Sequence, residues 1–261
     1  MIGDDGLIND GFYCMDCFDG MPQIDDKSID MILCDLPYGT TQCSWDVVIP
    51  FEPLWMEYNR IIKDNGAIVL FGMEPFSSYL RTSNIEMFKY DWIWDKVKGT
   101  GFLNAKKQPM RNHEIISVFY KKQCKYYPQM TENHERKVSL KKRNPQQTEV
   151  YGKMDKATRY DSTQRYPRSI QVFSTDTQRS SIHSTQKPVS LCEYLIKTYT
   201  DVGDLVLDNC AGSCSTGIAC YNTGRRFIGF EKDEEIFKKA KQRLVEHKAQ
   251  MSLFDLGMKR K

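Results

Sequence analysis

Leu205-Val-Leu-Asp208-Asn-Cys-Ala-Gly212-Ser-Cys-Ser-Thr-Gly217 sets an apolar run ending in a carboxylate directly before a turn of small residues. A strand from Phe227 to Phe230 follows, ending at Glu231. Strand, tight turn, helix and strand make a βαβ unit, the building block of a parallel sheet with a ligand at its carboxyl edge. Small residues let the backbone come close to a ligand, and an acidic residue 23 positions beyond Asp208 can accept hydrogen bonds from ribose hydroxyls. The G-x-G-x-x-G spacing that seats a pyrophosphate and the P-loop lysine are both missing, so a nucleoside ligand without phosphate fits better than a dinucleotide or ATP. The plainer reading is a tight packing turn with no ligand at all.

Upstream of this unit, Ser190-Leu-Cys-Glu193 fits a capping box just after Pro188 and predicts a helix from Leu191 to Thr200. Downstream, a helix from Asp233 to His247 turns Ile236, Phe237, Ala240 and Leu244 inward. The first 120 residues alternate in the same way. Met31 to Cys34 reads as a buried strand and Glu52 to Ile62 as a helix with Leu54, Trp55, Tyr58, Ile61 and Ile62 on one face. Asn65-Gly66 would supply a left-handed stop, and Ala67 to Phe71 a second buried strand. Tyr90 to Asp95 and Glu114 to Tyr120 read as strands, separated by the loop punctuation of Gly99-Thr-Gly101 and Pro109. The expected class is α/β, a sheet with helices packed on it.

A chain of 261 residues with 40% hydrophobic content can bury a sizeable core. No run of about 18 apolar residues occurs, and Met1 to Asp10 is acidic and polar, which points to a cytoplasmic protein. Nine cysteines, an odd number scattered through apolar stretches, suit reduced thiols better than a disulfide framework. Cys14 and Cys17 form a C-x-x-C with no second pair at finger spacing, so no metal is expected. The charge of +3 is unevenly spread: residues 121–180 carry a net +8 and the remainder −5. One region is built to meet an anion. The resulting division is a catalytic half over residues 1–120, a basic insertion over 121–182, a cofactor half over 183–247 and a tail over 248–261.

A second constellation, Asp35-Leu36-Pro37-Tyr38, follows the strand Met31 to Cys34, and strand ends are where sheet proteins place ligand chemistry. An amino nitrogen conjugated to a base ring is a poor nucleophile. A site that methylates it must accept its N–H groups and draw its lone pair out of the ring, a task suited to the Asp35 carboxylate and the Leu36 carbonyl. Pro37 fixes its own φ and biases Leu36 to an extended shape, which holds that carbonyl in one orientation. Tyr38 offers a ring on which an extruded base could stack. Alone, the tetrapeptide would be an ordinary turn.

Taken together, Asp35-Leu-Pro-Tyr38, His183-Ser-Thr-Gln-Lys-Pro188 and Asp208-Asn-Cys-Ala-Gly212-Ser resemble the catalytic, N-terminal-helix and cofactor motifs of the β-class DNA amino-methyltransferases, in that family's order, over residues 10–245. The resemblance implies an S-adenosylmethionine-dependent methyltransferase (Rossmann-like) fold with a mixed seven-stranded sheet and direct transfer of the methyl group to the amino nitrogen. Carried over by position, Asp35, Leu36, Pro37 and Tyr38 handle the base. Asp208, Ala211, Gly212, Ser213 and Glu231 hold the cofactor, Ser184, Thr185 and Lys187 line its other side, and Asp16 meets its adenine. Aspartate at the first motif position resembles the adenine-N6 enzymes, where cytosine-N4 enzymes usually carry serine. Leu36, Cys210 and Cys214 depart from the usual proline, phenylalanine and glycine. Loss of the phenylalanine removes a cover for the cofactor adenine, and a Cβ at Cys214 crowds the turn.

The expected partner is double-stranded DNA, met by Arg136, Lys137, Lys141, Lys142 and Arg143 with Tyr126, Tyr127, Tyr151, Tyr160 and Tyr166 interleaved; a solvated charged face with the tyrosines packed beneath is the competing reading. Gln250-Met-Ser-Leu253-Phe254 resembles the short peptide by which bacterial replication proteins dock on the sliding clamp; packing of Leu253 and Phe254 on the parent domain is the competing reading. Alternatives to an adenine-N6 enzyme are cytosine-N4 or RNA methylation, or a DNA-binding module whose altered turn has lost catalysis.

Overall fold

The computed structural model describes residues 8–40, 46–141, 158–175 and 186–258. Two compact units emerge, one formed by residues 1–127 and 169–261 and one by residues 128–168.

The larger unit is built on an eight-stranded sheet. In chain order its strands and helices are β1 (Gly11–Cys14), α1 (Cys17–Gly20), β2 (Ile29–Cys34), α2 (Phe51–Ile61), β3 (Ile62–Gly72), α3 (Phe76–Ser83), β4 (Phe88–Thr100) and β5 (Arg111–Phe119). After the smaller unit's pair, β6 (Lys137–Lys141) and β7 (Thr158–Ser162), come β8 (Ile170–Val172), α4 (Val189–Tyr199), β9 (Leu205–Asp208), α5 (Ser215–Thr223), β10 (Arg226–Glu231) and α6 (Glu234–Met258). The sheet order is β1-β10-β9-β2-β3-β5-β4-β8. From β1 to β3 all pairings are parallel, and β5 then runs antiparallel to both β3 and β4. Seven of these strands are the mixed sheet expected. The eighth, β8, adds three residues to the far edge by pairing Ile93, Trp94 and Asp95 with Ile170, Gln171 and Val172.

Strand β2 is buried at every position because helices cover both sheet faces, which is why its sequence is a continuous apolar run. Its side chains divide by the two-residue period of a strand. Ile32 and Cys34 join Ile68, Leu70, Leu54, Tyr58 and Phe76 under α2 and α3, while Met31 and Leu33 join Val69, Phe71, Leu191, Leu195 and Tyr199 under α4. Truncating one such residue, Leu33→Ala, is expected to cost about 2–5 kcal/mol.

Three local expectations need correction. Gly66 supplies no left-handed stop: α2 ends at Ile61 and the chain is already extended at Ile62 (φ −72°, ψ 137°). Gly66 is required for close approach instead, since a Cβ there would lie 2.9 Å from the Asp30 carbonyl oxygen of the neighbouring strand. Ser190 does not cap α4, which begins one residue earlier behind Pro188, whose extended geometry sets the entry. The last helix continues past His247 to Met258, so residues 248–258 belong to α6 rather than to a separate tail. Between His247 and Gly257 the sequence contains no proline or glycine to stop it.

The smaller unit centres on the antiparallel pair of β6 and β7, with a further bridge between Thr131 and Arg165. Arg165 ties its loops together by donating to the carbonyls of Ser162 (3.0 Å) and Glu135 (2.6 Å). Among the described residues no helix is long and apolar enough to cross a membrane.

Candidate active site at the carboxyl edge of the sheet

Strands β2, β9 and β10 end on the same edge, where Asp35 directly follows β2 and Asp208 and Glu231 close β9 and β10. The chain leaves β9 toward β10 on one side and β2 toward β3 on the other, so the strand order reverses between β9 and β2. A crevice opens at such a reversal because the connecting helices pass to opposite faces, and ligands of open α/β sheets bind there.

On the β2 side, both carboxylate oxygens of Asp35 are engaged. The Tyr38 hydroxyl donates to Oδ1 at 2.5 Å and the Lys187 ammonium to Oδ2 at 2.5 Å. Burial pushes the Asp35 carboxyl up from its ordinary range and the Glu114 charge adds to this, while Lys187 and the Tyr38 hydroxyl oppose it. Burial likewise pushes the Tyr38 phenol well up. The Tyr38 ring lies 4.9 Å from that of Phe76, tilted by 32°. The turn behind it is held by Asp46, which accepts from the backbone N–H groups of Gly39 (2.8 Å) and Thr40 (2.9 Å). Leu36 is buried against the α2–α3 core.

Lys187, assigned by resemblance to the cofactor's side, is thus placed with the catalytic motif. It also pairs with Glu114 at 3.3 Å, and the other Glu114 oxygen pairs with Lys96. Sequence reasoning read Glu114 only as the start of a strand and missed Lys96, Asp46 and Phe76. Glutamate leading into the buried run of β5 was the available signal, because a charge is seldom buried without a partner.

On the β9 side, Asp208 is 4% exposed, and burial pushes its carboxyl up to about 6 against hydrogen bonds from Thr216, the Cys210 N–H and Cys34. Asn209 accepts from the Tyr58 hydroxyl at 2.5 Å, which pins the turn to α2. Gly212 sits at φ +49°, and a Cβ there would meet nothing nearer than the Cys210 carbonyl oxygen at 4.0 Å, so bare backbone faces open space. The Gly212 N–H donates to Glu231 (2.9 Å), whose other oxygen accepts from Asp233 N–H (2.8 Å); burial pushes this carboxyl up as well. Asp16 caps α1 through Phe18 N–H (2.9 Å), and Met15 N–H reaches the Glu231 carbonyl (3.1 Å), so Asp16 and Glu231 lie on adjoining strand ends. An open glycine between the buried Asp208 and the half-buried Glu231 carboxylates suits a ligand with hydroxyl and amino donors that must come close to the backbone.

Cys214 adopts φ +61° and is fully buried, and Cys210 is partly buried against the α2–α3 core. Arg243 of α6 supports this loop by donating to the Ser213 carbonyl at 2.7 Å; Ala211 N–H bonds to the Phe230 carbonyl at 2.8 Å. Eight cysteines among the described residues are free.

Ser184, Thr185, Lys142, Arg143 and Tyr151 lie outside the described residues. In the smaller unit Arg136 is not a bare cation: its guanidinium holds both oxygens of Asp161, at 2.8 and 2.9 Å. Lys137 and Lys141 bound β6 and pair in register with Ser162 and Thr158 of β7, and Lys137 and Tyr166 are exposed. Tyr126 and Tyr127 belong to the larger unit. Gln250, Leu253 and Phe254 fall within α6, with Gln250 exposed.

The sheet order and the crevice define a Rossmann-like methyltransferase fold. The solved M1.HpyAVI–SAM complex shares it with a TM-score of 0.58 at 24% identity, over 89% of this chain and 98% of that one. The cytosine-N4-specific PvuII DNA methyltransferase shares it with a TM-score of 0.61 at 14% identity, over 92% of each chain. The DNA methylase family of the N6/N4 type matches residues 29–242, and the chain belongs to that family. It is similar to the type II methyltransferase M1.MboII of Moraxella bovis, 27% identical over 252 residues, 87% of this chain and 93% of that one. It also resembles the DNA adenine methyltransferase YhdJ of Escherichia coli (strain K12), 24% identical over 241 residues, 86% and 79% of the two chains.

Proposed function

We propose that this DNA methylase transfers a methyl group from S-adenosylmethionine to the N6 amino group of adenine in double-stranded DNA, with the target base flipped out of the helix. The observation that carries the reading is the placement of Asp35 across the strand-order reversal from Asp208, with Tyr38 and Lys187 fixing its carboxylate. Aspartate rather than serine at position 35 favours adenine.

S-adenosylmethionine supplies an electrophilic methyl group when bound. Gly212, with its open backbone, and the carboxylates of Asp208 and Glu231 are the residues that would hold it. Asp35 and the Leu36 carbonyl accept the two N–H groups of the adenine amine, which draws its lone pair out of conjugation. Tyr38, backed by Phe76, presents the aromatic face that offsets part of the few kcal/mol needed to unstack a base. The amine proton released on transfer passes to Asp35, whose side chain is 26% exposed and can return it to water.

The basic stretch around Lys137, Lys141, Lys142 and Arg143 contributes the phosphate contacts, and the segment Gln250 to Phe254 docks on a bacterial sliding clamp. The test of the central reading is incubation with tritiated S-adenosylmethionine and unmethylated genomic DNA, followed by nucleoside analysis. Label in N6-methyladenine supports it, and label in N4-methylcytosine transfers the same chemistry to the other base. No label, with no cofactor binding by calorimetry, overturns it.

A further inference from the structure

Four ionisable side chains, Asp35, Lys187, Glu114 and Lys96, meet at the catalytic motif. Lys187 lies between two carboxylates, 2.5 Å from Asp35 and 3.3 Å from Glu114, and Glu114 in turn holds Lys96. Lys187 and Glu114 are 7% and 5% exposed. The Lys187 ammonium stands 5.2 Å from the Phe71 ring centre and 5.8 Å from that of Tyr38, so aromatic surface separates it from water. Burying such groups is costly unless their geometry is mutual, so a packing role alone would be met more cheaply by apolar residues.

We propose that Lys187 and Glu114 are positioning residues that set the charge and orientation of Asp35 from opposite sides: Lys187 keeps it an ionised, fixed acceptor, and Glu114 takes a share of that ammonium so Asp35 stays basic enough to accept the amine proton. This deepens the methyltransferase reading and rests on it.

The physical need is specific. A protonated Asp35 would offer an O–H to an amine that also donates, leaving the amine's hydrogens unmet. Burial drives Asp35 toward that form, and Lys187 is the cation that opposes it. A buried ammonium given wholly to Asp35 would err the other way, leaving a carboxylate too weakly basic to withdraw density from the amine. Glu114, held ionised by Lys187 and Lys96 against its own burial, draws the ammonium back. Among the described residues, the other titratable groups facing Asp35 are Tyr38 on its own turn, Cys34 beneath it on β2, Asp208 on β9 and Cys192 on α4. Lys187 is the cation among them.

The pH dependence of kcat/KM, read with the full-length variants, tests this by sign. Lys187→Gln is expected to move the acidic limb upward by about one unit or more, with activity recovering toward alkaline pH. Glu114→Gln should move the limb downward and lower the plateau, and Lys187→Arg should keep the limb where the wild type has it. If Glu114→Gln fails to fold, Lys96→Gln replaces it and should move the limb upward, because it removes a positive charge and leaves Lys187 more fully to Glu114. Equal loss of activity at every pH, or a shift of the Lys187→Gln and Glu114→Gln limbs in one direction, would overturn the proposal.

A second readout separates this from failure of the methyltransferase reading. The Asp35 carboxyl carbon, assigned in 13C-aspartate-labelled protein by loss of its signal in Asp35→Asn, should titrate higher in Lys187→Gln and lower in Glu114→Gln with no substrate present. Opposite shifts there sustain the charge-setting role even if no DNA is methylated, whereas an unchanged titration in both variants removes it.

Discussion

The Sγ of Cys214 occupies the space that a Cβ on Gly217 would need. Cys214 stands at φ +61°, a left-handed conformation that costs an L-residue about 1–2 kcal/mol, and its buried thiol turns onto the bare face of Gly217 one helical turn later. The turn after β9 therefore accommodates the side chain that its sequence suggested would crowd it, through a glycine inside α5.

Filling that space is expected to be damaging. Gly217→Ala would press on Cys214 and on the Phe227 ring at 2.8 Å, for a loss of about 1–3 kcal/mol in urea unfolding. Adding Cys214→Gly should recover part of the loss. A double variant no more stable than Gly217→Ala would show that the two sites are not coupled.

Asp35→Ala is expected to reduce methyl transfer by about 10³-fold or more while leaving cofactor and DNA binding largely intact, because in the proposed mechanism Asp35 acts on the reacting amine. Near-normal turnover in this variant removes the mechanism.

Asp208 links stability to pH. Its carboxyl titrates at about 6 in the folded protein, above the ~3.9 of an unfolded aspartate, so the folded state binds the proton more tightly. This contribution makes stability fall as pH rises from about 4 to about 6, and above that window the ionised, buried carboxylate costs roughly 2–3 kcal/mol. Asp208→Asn should therefore raise the urea midpoint near pH 8, with the gain shrinking toward pH 4. A gain independent of pH would place its origin elsewhere.

The basic stretch should reveal itself through salt. Replacing Lys141, Lys142 and Arg143 with alanine is expected to flatten the plot of log affinity for duplex DNA against log salt by roughly 0.9 for each phosphate no longer neutralised. Arg136→Ala should flatten it less, since its guanidinium is held by Asp161. An unchanged slope in the triple variant would show that these side chains do not meet phosphates.

Retention of purified bacterial sliding clamp on the immobilised protein should be lost in Leu253→Ala/Phe254→Ala. Equal retention by wild type and variant would dismiss that partner.

The central strands and their covering helices were legible in the chain, because burial on both faces writes continuous apolar runs such as Met31 to Cys34 and one-sided burial writes periodic faces such as that of α2, whereas the short β1 and β8 and the helices α1 and α3 were not read. That carboxylates follow the apolar runs of β2 and β9 was legible too, and the fold brings Asp35 and Asp208 to one edge of the sheet. Boundaries were less so. Gly66 reads as a helix stop in the sequence, yet its need for a bare backbone comes from Asp30, which approaches only when β2 and β3 pair. The company Asp35 keeps was fixed by folding alone. Lys187 is 152 residues away in the chain and Glu114 lies on β5, two strands across the sheet from β2. A carboxylate set in a buried run signals that it needs a partner, but which residue that is leaves no trace in sequence, because the energy of the pair depends on a distance that exists only once the sheet has formed.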